Sequence, residues 1–433
     1  MSHSPAKSPM TTVYMMDLWC QIPFYDAYLC NALEAEGIAC VLGSTNFHLE
    51  PGYFQQRGVK NDPGFGSFAS GLNISNPRVR RSLRFLEFVA NISALTLRFQ
   101  FARPDLIHVQ WIPLVAEGVP FELWFLKLAQ RRGVKIVYTV HNLLPHDSEP
   151  GVRETFARIY RMMDGLICHT RETKDRLIAE FGLDGSKIRI IPHGPLFYDY
   201  TPVGQPEAKR RIGLQPENCM VLYQGLVRPY KGIDFLLDAW KKVQAEQPDA
   251  RLVIAGRGED RHMEFVKARV ATDGVQGSVQ LDLRYITSQE LPIYYQAADI
   301  AIYPHREITQ SGALMTGIAF GKPIVATSLP GFREALEGYH GAVCVEYGDV
   351  EGLSQLLLTL ISDPAKREAL AQPSAGEDAR LFWKDIARRT RECYDEVLRG
   401  PAPDHAPGEV QNAAAELEKA PETSSAYETA LRE

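Results

Sequence analysis

The feature that most limits what this chain can fold into is an alternation of short apolar runs with longer amphipathic stretches, repeated in two series. In the first series Thr12–Asp17, Ile38–Gly43, Leu106–Gln110, Lys135–Val140, Gly165–His169 and Ile188–Ile191 predict strands. These runs are rich in Ile and Val and lack clean polar alternation. Both faces should therefore be covered, as in a parallel sheet flanked by helices. Helices are expected near Ala27–Glu36, Phe121–Arg132, Arg153–Met163 and Thr173–Phe181. Residues 192–220 interrupt the pattern with five prolines and three glycines, which is linker chemistry. A second series then predicts strands at Val221–Gln224, Arg251–Ala255, Val279–Leu281, Ile300–Tyr303, Pro323–Ala326 and Ala342–Val345, again separated by helices. The expected fold class is α/β: two doubly wound domains with a cleft between them and ligands at the carboxyl ends of the strands. The expected boundaries are an N-terminal tail (1–11), a first domain (12–200), a second domain (201–375), a helix returning toward the first domain (376–399) and a C-terminal tail (400–433).

Composition narrows the function. Hydrophobic residues make up 45% and charged residues 23% of the 433, near the globular average, which excludes a mostly disordered, fibrous or integral-membrane chain. No stretch approaches the roughly 20 apolar residues of a membrane span. Basic residues number 47 and acidic residues 53, a net of -6, so no nucleic-acid partner is expected. Residues 400–433 hold seven of the acids and two of the bases and nearly lack large apolar side chains, so they read as a disordered acidic tail. The seven cysteines are scattered without a C-x-x-C pair, which fits reduced thiols better than a disulfide framework or a zinc site. No apolar signal region follows the start MSHSPAKSPM, and the expected location is the cytoplasm.

Two segments of the second series converge on an anion. Gly225-Leu226-Val227-Arg228-Pro229-Tyr230-Lys231-Gly232 sets two cations three residues apart at a strand end, before a helix. Arg grips phosphate with a fork and Lys adds a point charge. Tyr303 to Gly312 follows another strand, and Ser311 is a good N-cap that leaves the N–H groups of Gly312 and Ala313 pointing outward. Ala255-Gly256-Arg257-Gly258-Glu259 is too short for a dinucleotide fingerprint, and neither half carries G-x-G-x-x-G after its first strand, which argues against a dehydrogenase.

The series Gly225 to Gly232, Leu252–Glu259, Leu291–Pro304, Ser311–Thr327 and Pro330–Glu334, joined by Thr139–Asp147 and Ile190–Gly194, resembles the GT-B glycosyltransferases of family GT4 along roughly Thr12 to Leu398. The resemblance implies a GT-B fold and retaining transfer of a hexosyl group from a nucleotide sugar, UDP- or GDP-linked, with no cofactor. It implies that Arg228 and Lys231 neutralise the donor diphosphate, helped by Ser311, Gly312 and Ala313. Gly256, Tyr285, Ile286 and Thr316 would meet the nucleoside, while His141, Glu307, Thr309 and Gln310 would meet the donor sugar. His141, Arg228 and Lys231 form the implied catalytic set, with His146 and His193 given structural roles. The family often carries two glutamates eight positions apart. Here Ile308 and Thr316 stand at those places, with Glu307 one position early as the candidate replacement for the first.

The chain contains no D-x-D, so Arg228, Lys231 and the helix start are expected to do the work of a metal in stabilising the leaving diphosphate. Residues 78–103 carry six arginines and one acid, Glu87, among Leu83, Leu86, Leu97, Phe99 and Phe101, and suit a basic helix on an anionic membrane or a core-packed helix with a solvated end. The resemblance implies a saccharide or lipid-linked acceptor, and with it a cytoplasmic protein that could lie peripherally on the inner face of the cell membrane. Phe47, Tyr53, Phe54, Phe65 and Phe68 are expected to pack a loop, and Pro23-Phe24-Tyr25 to stand where the family has a Gly-rich turn. The rival reading is a nucleotide-sugar-binding scaffold without turnover.

Overall fold

A computed structural model describes residues 10–69, 72, 76–116, 119–144, 151–308, 310–373 and 376–400. His146, Thr309 and nearly all of the two tails lie outside these residues. The strands are β1 (Thr12–Met16), β2 (Ala39–Gly43), β3 (Leu106–Val109), β4 (Lys135–Val140), β5 (Gly165–Cys168) and β6 (Ile188–Ile190). The second set is β7 (Met220–Gln224), β8 (Arg251–Ala255), β9 (Val279–Asp282), β10 (Ile300–Tyr303), β11 (Ile324–Thr327) and β12 (Ala342–Val345). They form two six-stranded sheets, ordered β2-β1-β3-β4-β5-β6 and β12-β11-β10-β7-β8-β9. Every pairing is parallel, beginning with Val13 beside Cys40 on one side and Leu106 on the other. The central strands are buried along their length, which is why their sequences show unbroken apolar runs.

Strand order reverses between β1 and β3 in the first sheet and between β7 and β10 in the second. Crevices open at such switch points, beyond the carboxyl ends of the strands. One apolar cluster runs from Val13 and Leu106 through Ile191, Leu196 and Phe197 to Leu222 and Ala301, so the two halves share core. The helix Gly376–Arg399 is fastened to first-sheet elements. Trp383 donates to Pro195 O at 2.7 Å and stacks on Tyr28, and Tyr394 meets His108 at 2.6 Å.

Of three local expectations, one is corrected, one holds in part and one is borne out. Pro23-Phe24-Tyr25 is no turn: Pro23 opens the helix Pro23–Ala35, because proline suits a first helical position. The turn is Asp17 to Ile22, closed by Asp17 Oδ2 accepting from the N–H groups of Gln21 and Ile22. The aromatic stretch divides, with Phe47, Tyr53 and Phe54 buried while Phe65 and Phe68 are exposed. The basic segment is the helix Pro77–Arg98, capped by Asn76, whose Glu87 is buried and accepts from the backbone of Ala69 at 2.8 Å. All seven cysteines are free thiols.

Candidate active site

The second-half wall is built by loops leaving β7, β8 and β10. The first two continue the ladder past the strands: Gly225 N–H donates to Ala255 O and Val227 N–H to Arg257 O, both at 3.1 Å. This approach explains the glycine at 256. It has φ +149°, and a Cβ there would lie 1.9 Å from Gly225 O. Gly232 ends the cationic loop with φ +69°, where a Cβ would lie 1.8 Å from Pro304 O. Arg306 N–H donates to Tyr230 O at 2.8 Å, so the β7 and β10 loops form one wall at the switch point.

This wall holds Lys231 in an unusual state. Its side chain is buried, its ammonium lies 5.1 Å from the Tyr230 ring centre, and it forms no ion pair with any described residue. Burial lowers its pKa to about 7. Neighbouring His305 is also buried, with an unpartnered Nδ1, and burial together with Lys231 pushes its pKa well below the usual histidine range. A cation without a counter-ion in a desolvated wall favours an anion arriving from solution. Arg228 differs: it is partly exposed and pairs with Glu259 at 3.0 Å, so a ligand must compete for it.

The helix Gly312–Ala319 opens the third segment. Ser311 Oγ accepts from Leu314 N–H at 3.3 Å, which leaves the Gly312 and Ala313 N–H groups without acceptors among the described residues. Tyr303 and Tyr295, from beneath, donate to Ala313 O at 2.8 and 3.1 Å and fix this turn. Neither tyrosine was legible as a site residue, because both lie in apolar runs. Thr316 is buried and its hydroxyl donates to Gly312 O at 2.8 Å, closing the helix's own carbonyl. Glu307 is exposed and Ile308 half-buried.

The first-half wall comes from consecutive strand ends. Gln110, His141, His169 and His193 follow β3, β4, β5 and β6 in turn. His141 Nε2 lies 2.9 Å from Gln110 Oε1, and its Nδ1 lies 3.2 Å from His169 Nε2. His169 Nδ1–H donates to Ile191 O at 2.8 Å. Burial first, and then the neighbouring histidines, keep His141 far below the ordinary histidine pKa, while burial lowers His169 to about 3 and His193 to about 4. The halves meet here. Gln310 Nε2, from the β10 loop, lies 3.3 Å from His141 Nδ1, and a Cβ on Gly312 would lie 3.4 Å from His193 Cε1. Gln110 and His169 escaped the sequence reading, although their strand-end positions were a usable signal.

A second crossing holds the expected nucleoside segment. Glu50, after β2, accepts from Tyr285 OH at 2.5 Å, Ser288 N–H at 2.7 Å and Ser288 Oγ at 2.5 Å. Ile286 is buried beside them. Elsewhere, a cavity of about 760 Å³ bounded by Arg171, Asp175, Arg176, Arg333, Glu334 and Glu337 contains none of the expected donor residues.

Two parallel sheets, each helix-flanked and meeting at their switch points, define the GT-B architecture. Residues 27–194 match the profile described as Glycosyltransferase Family 4, and residues 218–363 match that of Glycosyl transferases group 1. The D-inositol 3-phosphate glycosyltransferase of Pseudarthrobacter chlorophenolicus is 27% identical over 320 residues, 71% of this chain and 74% of the relative. That of Streptosporangium roseum is 25% identical, over 71% and 73%. Among solved structures, sucrose-phosphate synthase from Thermosynechococcus elongatus superposes with TM-score 0.69 at 17% identity, covering 90% of this chain and 99% of that one. Anabaena HepE in complex with UDP and glucose gives 0.67 at 16% identity, covering 89% and 99%. The two profiles tile the two halves, and the chain belongs to the GT4-like glycosyltransferases.

Proposed function

We propose that the protein transfers a hexosyl group, with retention at the anomeric carbon, from a UDP- or GDP-linked sugar to a lipid-linked or saccharide acceptor. The observation that carries this reading is Lys231, a buried ammonium with no carboxylate partner among the described residues. It lies on the β7 loop, which is tied to the β10 loop leading to Gly312 and Ala313, whose N–H groups have no acceptor among the described residues. A diphosphate supplies the anion this wall lacks. As the anomeric C–O bond breaks, negative charge grows on the departing phosphate, and preorganised charge and dipoles stabilise it without reorganisation. With no D-x-D in the chain, that stabilisation falls to Lys231, Arg228 and the helix start, and the reaction runs without a metal. His141, Gln310 and Glu307 then face the sugar. Tyr285 and Ile286 receive the base. HepE, solved with UDP and glucose, and the inositol phosphate glycosyltransferases support a sugar-nucleotide donor for this fold.

For the acceptor, the helix Pro77–Arg98 favours lipid linkage. Val79, Phe85 and Leu86 are exposed near the end that carries exposed Arg78 and Arg80, and Leu97 is exposed at the far end. Phe85, Phe121 and the exposed Trp124 continue the patch through ring contacts of 6.4 and 5.3 Å. Arginines with interfacial aromatics suit an anionic bilayer surface. Among the described residues no helix is long and apolar enough to cross a membrane.

Thermal-shift screening against UDP, GDP, ADP and their sugars, followed by donor hydrolysis without acceptor, tests the reading. Tight nucleotide binding with no hydrolysis of any sugar would favour the non-catalytic scaffold, which buried Thr316 in place of a ribose-holding glutamate supports. Flotation of the protein with anionic but not neutral vesicles is expected, and equal failure on both would remove the lipid surface.

A further inference from the structure

The His141–His169 contact has a proton count that does not close for two neutral rings with the Gln110 and Gln310 amides oriented as they are. Ile191 O accepts only, so His169 Nδ1 carries a hydrogen. Gln110 Oε1 also accepts only, so His141 Nε2 carries one. Two neutral imidazoles have no further N–H, yet Nε2 of His169 and Nδ1 of His141 face each other at 3.2 Å. Gln310 Nε2 also points at His141 Nδ1, from 3.3 Å, which makes that nitrogen an acceptor. Two lone pairs therefore oppose each other unless a third hydrogen sits between the rings, or the Gln110 amide turns over.

We propose that His169 is a positioning residue for His141, and that the pair takes one proton from solvent when the diphosphate of a nucleotide sugar settles at the start of the helix Gly312–Ala319. The proposal rests on the donor-site reading above. The proton comes from water, bonds to Nε2 of His169 and is shared with Nδ1 of His141; no other bond changes. The groups facing the pair are Tyr25 from the helix Pro23–Ala35, His108 from β3, His193 after β6 and the Gln310 amide from the second half. The titratable neighbours acting on His141 are His169, His193 and His108, all bases, so among the described residues no negative charge holds a proton there. A diphosphate supplies it, because Gln310 lies two residues before Gly312 and His193 touches the same turn. The protonated pair makes three hydrogen bonds: His169 Nδ1–H to Ile191 O, His169 Nε2–H to His141 Nδ1 and His141 Nε2–H to Gln110 Oε1. The second replaces the Gln310 amide at the one Nδ1 lone pair, and so the set fixes the His141 ring against the sugar.

Calorimetry at pH 5.5 in buffers of different ionisation enthalpy tests this, with UDP-glucose and GDP-mannose as probes. Their diphosphates are fully ionised there, and Lys231, with a pKa of about 7, is already charged and contributes little. Uptake of half a proton or more per nucleotide sugar is expected. In His169→Gln, whose amide N–H can donate to His141 Nδ1 without a charge, uptake falls to near zero while binding persists. Binding with no uptake, or uptake unchanged in His169→Gln, overturns the proposal; binding of neither sugar overturns the donor site itself. Should the variant fail to fold, ¹⁵N-histidine spectra of the wild type decide, since a new imidazolium signal must appear on adding the bound probe.

Discussion

Removing the charge of Lys231 should stabilise the empty protein while abolishing donor binding. Lys231 is 7% exposed. Burial lowers its pKa from 10.5 to about 7. A shift of about 3.5 units corresponds to about 5 kcal/mol at 1.36 kcal/mol per unit, an upper bound on the cost of holding the charge there. The folded protein binds fewer protons than the unfolded chain between pH 7 and 10.5. Stability therefore rises with pH across that window, and the full cost is present below it. Lys231→Met removes the charge and retains the stem. At pH 6 its melting temperature should exceed that of the wild type, with a gain of about 1–4 kcal/mol as for other buried charges replaced by apolar groups. The advantage should vanish by pH 10. Nucleotide-sugar affinity should fall at least a hundredfold, about 2.7 kcal/mol. Thermal denaturation at three pH values and calorimetry with UDP-glucose and GDP-mannose give both readings. A variant that melts lower than wild type at pH 6 and binds normally would refute the reasoning.

Other expected outcomes follow from single contacts. Glu259→Gln frees Arg228 from its 3.0 Å ion pair and should tighten donor binding severalfold, within the about 0.2–1 kcal/mol an exposed pair contributes. Glu50→Ala leaves Tyr285 and Ser288 without their acceptor, and should raise the donor KM by about tenfold with a smaller change in kcat. Gly256→Ala meets Gly225 O at 1.9 Å with φ +149°, and should lose more than about 1 kcal/mol in urea melts. Turnover should survive EDTA; complete loss restored by Mn²⁺ would count against a charge-only mechanism.

Much of this architecture was legible in the chain itself. The runs at β3, β5 and β10 lack polar alternation because both faces are covered, and that pattern alone implied parallel sheets. Ser311 before a Gly-led helix announced its cap, and the cap is made. Arg228 and Lys231 looked alike in sequence, three residues apart, but one pairs with Glu259 at the surface and the other is desolvated. Thr316 and Gly256, expected at the nucleoside, sit in surroundings that no local pattern distinguishes: a buried hydroxyl bonded within its own helix and a point of close loop approach.

Local chemistry settled the strands and helices of the two α/β halves and the turns at the strand ends, because strand burial, capping and turn glycines act over a few residues. The environment of the side chains came from packing alone. Glu50 reaches Tyr285 across 235 residues, and His141 meets His169 across 28. Desolvation and proton sharing depend on which groups the fold brings within hydrogen-bonding distance, and that information is not local in the sequence.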